Sequence, residues 1–247
     1  GKYVKEDGSL IEDSQTAYGI TLAMNLLPDH HKQQGADRLA QLLRKNGNRL
    51  NTGFLGVRHL LPELARYGHE KLAYGLLMET GYPSWGYEVV NGATSIWERW
   101  NSYTIENGFM DPEMNSFSHY SYGSVAEWMF SDVAGIDSLT PGYKHIEIKP
   151  LIKSAPFTGI SAHHKSIRGM VKSQWGKKGR DIHLNITIPT NSTAEVFVPA
   201  SSVNTVSESG GAAANARGVK FKKMEGEYAV FEVGGGDYKF VSADAID

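Results

Sequence analysis

The chain has 247 residues, a net charge of −2, 40% apolar and 21% charged residues, and no cysteine. That length holds one large domain or two modest ones, with material for a real core and no disordered composition. The missing cysteine excludes a disulfide scaffold, a thiolate metal site and a cysteine nucleophile, the near-neutral charge offers nothing to a nucleic acid, and no run approaches the roughly 20 apolar residues of a membrane span.

Two compositions meet near Pro141-Gly142. Residues 1–142 hold 11 Lys/Arg against 17 Asp/Glu, a net of −6, and residues 143–247 hold 14 against 10, a net of +4. The first part reads as helices. Asp13 is placed to cap a helix through Ala17, Ile20, Met24 and Leu27 that stops at Pro28. Asp29 opens a second, with Ala36, Leu39, Ala40 and Leu43 on one face and Asn46-Gly47 at its end. A third runs through Val57, Leu60, Leu61 and Leu64 to Gly68, with a kink or restart expected at Pro62. Further helices are expected over 69–80, 93–100 and 122–134. Short Gly, Pro and Asn loops between them suit antiparallel helix hairpins.

The second part reads as strands. Ile182, Leu184, Ile186 and Ile188 alternate with polar residues, as do Ile146 and Ile148, Ala194, Val196 and Val198, and Ala229, Phe231 and Val233. Their spacing suits an antiparallel β-sandwich. Residues 207–216, small and polar, read as a loop or mobile tip. The expected organisation is a helical domain over 1–142 and a β-sandwich domain over 143–247.

Chemistry concentrates in residues 82–128, where 11 of 47 residues are aromatic, 23% against 11% for the whole chain. Aromatic rings pack on the C–H faces of a pyranose, and interspersed carboxylates and amides pair with its hydroxyls. A large aromatic core would show the same composition. Glu98, set between Trp97 and Trp100 with Arg99 beside it, is the carboxylate best placed for proton transfer. Partial desolvation among tryptophans favours the protonated form of such a group. The alternative for Glu98 is an ordinary ion pair with Arg99. His119 is a candidate ligand-binding side chain, and Trp85, Trp97 and Trp100 are candidate pocket walls. Glu88, Glu106, Asp111, Glu113 and Glu127 compete, with Asp111-Pro112-Glu113 reading as a surface turn. His30-His31 and His163-His164 are adjacent pairs whose side chains diverge, so no metal site is expected, and no motif calls for a cofactor.

Five runs now carry a resemblance: Asp13-Ser14-Gln15-Thr16-Ala17-Tyr18, Thr52-Gly53-Phe54-Leu55-Gly56, Tyr82-Pro83-Ser84-Trp85-Gly86-Tyr87, Gly92-Ala93-Thr94-Ser95-Ile96-Trp97-Glu98-Arg99-Trp100, and Asn115-Ser116-Phe117-Ser118-His119-Tyr120-Ser121-Tyr122-Gly123-Ser124-Val125. In this order they resemble the α-L-rhamnosidases of glycoside hydrolase family 78. The resemblance implies an (α/α)6 barrel followed by a C-terminal β-sandwich, and inverting hydrolysis of terminal α-L-rhamnosides. It implies Glu98 as general base and His119 as a rhamnose contact. Trp85 and Trp100 are placed in the pocket from composition alone. An inverting glycosidase needs a second carboxyl group, and nothing in residues 1–97 resembles the family's acid segment. The barrel needs twelve helices, and about six are legible. The expectation is therefore the C-terminal part of a longer enzyme. Its partners are a rhamnose-containing glycoside or polysaccharide and the N-terminal part of the same enzyme. Alone it is expected to be inactive, and the parent is expected to be exported rather than cytoplasmic. The other readings are a non-catalytic carbohydrate-binding or structural module, and an (α/α)-barrel hydrolase for another sugar.

Overall fold

In the computed structural model, which describes residues 3–246, the chain divides into two compact units between Trp128 and Met129. The first is helical. It comprises α1 (Gln15–Ala23), α2 (Asp29–Lys45), α3 (Phe54–Arg66), α4 (Glu70–Met78) and the short α5 (Trp85–Val90), then a two-residue pair β1 (Tyr103–Thr104) and β2 (Gly108–Phe109), and finally α6 (Val125–Trp128). Consecutive helices from α1 to α5 pack as neighbours, and α1 also lies against α3. Ala36, Leu39, Ala40 and Leu43 of α2 and Val57, Leu60, Leu61 and Leu64 of α3 are buried, the faces that their periodicity marks.

Local differences from the sequence reading have physical causes. The side chain that caps α1 is Ser14, whose Oγ accepts from the Ala17 N–H at 3.2 Å, while Asp13 turns to Arg38 in an exposed ion pair. Pro62 sits inside α3, which runs on unbroken over thirteen residues and loses only the backbone bond that the proline nitrogen cannot make. The close approach of α1 to α3 depends on Gly56: a Cβ there would lie 3.0 Å from Thr16 Cα and 2.1 Å from Thr52 Oγ1. Beside it the Thr16 and Thr52 hydroxyls bond at 2.7 Å. Buried Gln15 latches the loop before α3 onto α1, donating to Arg49 O at 3.0 Å and accepting from Asn51 N–H at 2.7 Å.

No helix forms over 93–100. The helix in this region is α5, eight residues earlier, capped by Ser84 Oγ accepting from Tyr87 N–H at 3.0 Å. The main chain then turns at Gly92, whose φ of +87° suits glycine. Residues 122–134 are likewise not one helix. A 3-10 turn (Ser121–Ser124) precedes α6, and Met129–Val133 of the second unit form a π-helical turn.

The second unit holds two sheets. Its strands are β3 (Ile136–Ser138), β4 (His145–Ile148), β5 (Gly159–Ser166), β6 (Gly169–Lys178), β7 (Asp181–Ile188), β8 (Thr193–Pro199), β9 (Val206–Glu208), β10 (Gly211–Ala212), β11 (Val219–Glu225), β12 (Tyr228–Val233) and β13 (Gly236–Ser242). One sheet runs β10-β9-β13-β7-β6-β5 and the other β11-β12-β8-β4-β3, all antiparallel except β4 with β8. The alternating positions Ile182, Leu184, Ile186 and Ile188 are buried, as are Ile146, Ile148, Val196 and Val198. Phe231 of one sheet stacks on Phe240 of the other with ring centres 5.4 Å apart. Trp175 and Ser173 of β6 reach the carbonyls of Val133 and Ala134, at 2.8 and 2.6 Å. The 207–216 segment is more structured than a loop. It contributes to β9 and β10 and ends in a 3-10 turn in which Ala213 is fully buried. Among the described residues no helix is long and apolar enough to cross a membrane.

Candidate active site

Within the first unit, two loops are stitched together around Glu98. The Glu98 N–H donates to Ser116 O at 2.9 Å, and the Ser116 N–H returns a bond to Glu98 Oε2 at 2.8 Å. Nearby, His119 N–H donates to Ile96 O at 2.8 Å. Residues 96–98 and 116–119 thus run as a short clamp, and it brings Glu98 and His119 onto one locus. Both side chains are half-buried, reachable by solvent yet held by backbone. Within 93–100 the Glu98 N–H and the Ile96 carbonyl are committed to the clamp and the Trp97 N–H to the Glu88 carboxylate, so these groups are not available to close a helix.

His119 has a defined chemical face. Its Nδ1 accepts from the Ser121 N–H at 3.3 Å, so the neutral ring carries its proton on Nε2 and presents a donor there. The ring is stacked between two others, Phe54 at 4.7 Å with an interplanar angle of 11° and Tyr120 at 5.4 Å with 5°.

The three candidate tryptophans are all buried. Trp85 Nε1 donates to Tyr122 O at 2.9 Å and Trp100 Nε1 to Thr52 O at 3.1 Å. The Trp100 ring stacks on Tyr122 at 3.8 Å, and Trp85 meets Trp100 edge-on at 5.5 Å. Trp97 meets Phe117 and Tyr103 edge-on, at 5.5 and 6.4 Å, and lines an open groove of about 480 Å³ shared with Thr94, Ser95, Tyr103, Phe109 and Phe117.

The residue that sequence reasoning left among the competitors is Glu88. It stands one turn after Trp85 on the inner face of α5 and is only 2% exposed. Its Oε2 accepts from the Trp97 N–H at 3.3 Å, and its Oε1 has no partner. Burial pushes its carboxyl up to about 7, with the Trp97 N–H pulling the other way. Burial, with the Glu88 charge adding to it, pushes the nearby Tyr122 hydroxyl up to about 12. The i, i+3 spacing from Trp85 behind a Ser84 cap was the signal that places Glu88 inside. The other competing carboxylates, Glu106, Asp111, Glu113 and Glu127, are on the surface. Asp111 Oδ1 accepts from Glu113 N–H at 3.0 Å in a 3-10 turn, Glu106 is exposed, and Glu127 pairs with Arg58 at 2.9 Å. Among the described residues no three His, Asp or Glu side chains are grouped to hold a metal ion.

Comparison with known proteins follows the same geography. A family model described as bacterial alpha-L-rhamnosidase 6 hairpin glycosidase domain matches residues 1–133, and one described as bacterial alpha-L-rhamnosidase C-terminal domain matches residues 135–213. The chain belongs to the bacterial α-L-rhamnosidase family. An α-L-rhamnosidase of Streptomyces avermitilis is 42% identical over 238 residues, 96% of this chain and 22% of that protein. One from Formosa agariphila is 37% identical over 227 residues, 92% of this chain and 24% of that protein. The crystal structure of Streptomyces avermitilis α-L-rhamnosidase complexed with L-rhamnose superposes with a TM-score of 0.90 at 41% identity, covering 97% of this chain and 22% of that one. The chain therefore spans about a fifth to a quarter of the length of these relatives.

Proposed function

We propose that this chain supplies the general base and part of the sugar pocket of an inverting glycosidase that removes terminal α-L-rhamnose from glycosides or polysaccharides. The observation that carries the reading is the clamp that sets Glu98 beside His119 in a half-buried, aromatic-rich site. Family membership and the names of the relatives support the substrate class. The helical unit is read as part of an (α/α)6 barrel and the strand unit as a β-sandwich. The general acid is assigned to a segment upstream of these residues in the longer enzyme.

In this mechanism Glu98 takes a proton from a water molecule as its oxygen attacks the anomeric carbon. The bond to the leaving oxygen breaks on the opposite face, and that oxygen takes its proton from the upstream acid. A pair of carboxyl groups roughly 6.5–9.5 Å apart leaves room for the water and inverts the anomeric centre. The Glu98 carboxylate also faces the positive charge that grows on the ring as the bond breaks. Ser116 N–H fixes one carboxylate oxygen and so aims the other. His119 donates from Nε2 to a sugar hydroxyl. Trp97 provides a wall, and Trp85 and Trp100 back the pocket.

The test is Glu98→Gln in an enzyme that carries both carboxyl groups, assayed on an aryl rhamnoside. Removal of a general base is expected to lower kcat about 10²–10⁴-fold. A loss below about tenfold would count against the assignment. Following the anomer first released, by proton NMR, checks inversion independently. The 247-residue chain alone is expected to show no turnover.

A further inference from the structure

Glu88 commits both of its oxygen-bearing groups to the loop that leads into Glu98. Its backbone carbonyl accepts from Ala93 N–H at 3.0 Å, where the loop begins, and its carboxylate Oε2 accepts from Trp97 N–H at 3.3 Å, where the loop ends. The next N–H along the chain is that of Glu98, which is bound to Ser116. The Ile96–Trp97 peptide is therefore held by a buried side chain, and the next peptide, Trp97–Glu98, by the neighbouring loop through the Glu98 N–H. Helix α5 gives Glu88 a firm base. Its N-cap is satisfied, and the close approach of α5 to the preceding chain is set by Gly86, where a Cβ would lie 2.2 Å from Glu79 O.

A buried carboxyl group is a costly way to satisfy one N–H. Its second oxygen, Oε1, is buried and without a partner, and a buried acceptor of that kind costs free energy that a neutral filler would avoid. A fold selected for stability alone would use an uncharged side chain here. We infer that Glu88 is a positioning residue for the reaction, fixing the Ile96–Trp97 peptide, one link before Glu98, so that the Glu98 carboxylate points at the attacking water. The inference rests on the reading of Glu98 as general base. Glu88 acts through the main chain and is not assigned any contact with substrate. Misplacement of a reacting group by about 1 Å can cost two orders of magnitude in rate, so a single backbone anchor is enough to matter.

The experiment compares Glu88→Met, Glu88→Gln and Glu98→Gln in the enzyme carrying both carboxyl groups, reading kcat, KM and thermal unfolding on an aryl rhamnoside. Methionine fills the same space and removes the acceptor, whereas glutamine keeps an acceptor oxygen. Glu88→Met is expected to melt no earlier than the parent and to lose about 10- to 100-fold in kcat with KM within about threefold. Glu88→Gln is expected to recover kcat to within about threefold of the parent. The inference is overturned if Glu88→Met keeps kcat within about threefold, if KM takes the loss, or if that variant fails to fold, which would make Glu88 a requirement of the core instead. If Glu98→Gln remains active, the general-base reading fails first. If Glu98→Gln is inactive and Glu88→Met is not impaired, only the role of Glu88 falls.

Discussion

Strands β6 and β7 face each other through seven consecutive residue pairs, from Lys172 opposite Thr187 to Lys178 opposite Asp181. The main chain there satisfies itself, and the side chains between the sheets are free to be Val171, Trp175, Ile182 and Leu184, all buried. Residues 82–124 of the first unit have only the two-pair β1–β2 ladder, the short α5 and scattered turns. Side chains there bond to the backbone instead: Glu88 to Trp97, Glu98 to Ser116, Asn115 to Ser102, and two tryptophan N–H groups to Tyr122 and Thr52. Of the five buried side-chain polar atoms found without a partner among the described residues, four lie between Glu88 and Trp128 and one in the strand unit. The difference teaches that irregular backbone recruits polar side chains into the interior, and two of them, Glu88 and Glu98, carry carboxyl groups that can exchange a proton.

Three experiments sharpen or break this contrast. Phe231 is fully buried between Phe240 and Phe221, so Phe231→Ala is expected to cost about 3–5 kcal/mol in urea unfolding of this chain. A loss under about 1.5 kcal/mol would mean that the strand unit does not depend on that contact between its sheets. The next effect comes from Glu88 and depends on pH. Folded, its carboxyl keeps a proton up to about 7, and in the unfolded chain it loses it near 4.5. Between those values the folded state binds more protons, so stability falls as pH rises through the window, by on the order of 3 kcal/mol in total. Glu88→Gln is expected to flatten that component, as read by unfolding midpoints at a series of pH values spanning about 4.5 to 7.5; an unchanged slope would remove Glu88 as its source. The smallest effect is expected at the exposed pair of Arg58 and Glu127, whose side chains are 58% and 60% exposed. A double-mutant cycle there should give a coupling of about 0.2–1 kcal/mol that shrinks with added salt.

Strands β4, β7, β8 and β12 were legible because apolar residues alternate in them, and Ile182 to Ile188 names its buried face without help from the rest of the chain; the two- and three-residue strands β3, β9 and β10 are too short to show a period. Helices α2 and α3 were legible for the same kind of reason, from Leu39 and Leu43, and from Leu60 and Leu64. The region 93–100 was not. Ile96, Trp97 and Trp100 imitate a helical face, but the N–H groups that would close the helix are taken by Glu88 and Ser116, residues outside that segment. Pro62 misled in the opposite direction, since a helix loses one bond at a proline and can continue when its buried face holds it. The conjunction of Glu98 and His119 was suggested by the motifs that contain them, whereas the burial of Glu88 required knowing that the helix begins at Trp85.

The ring stack at His119 has a consequence for affinity. A free imidazole turns about two torsions, and immobilising a side chain on association typically costs about 0.5–1.5 kcal/mol. Phe54, the first residue of α3, stacks on this ring, and the Ser121 N–H binds its Nδ1, in the protein without ligand. If His119 meets a sugar hydroxyl as proposed, part of the ordering of its ring is already done during folding, by helix α3 and the Ser121 N–H, and that part would not weigh on the dissociation constant.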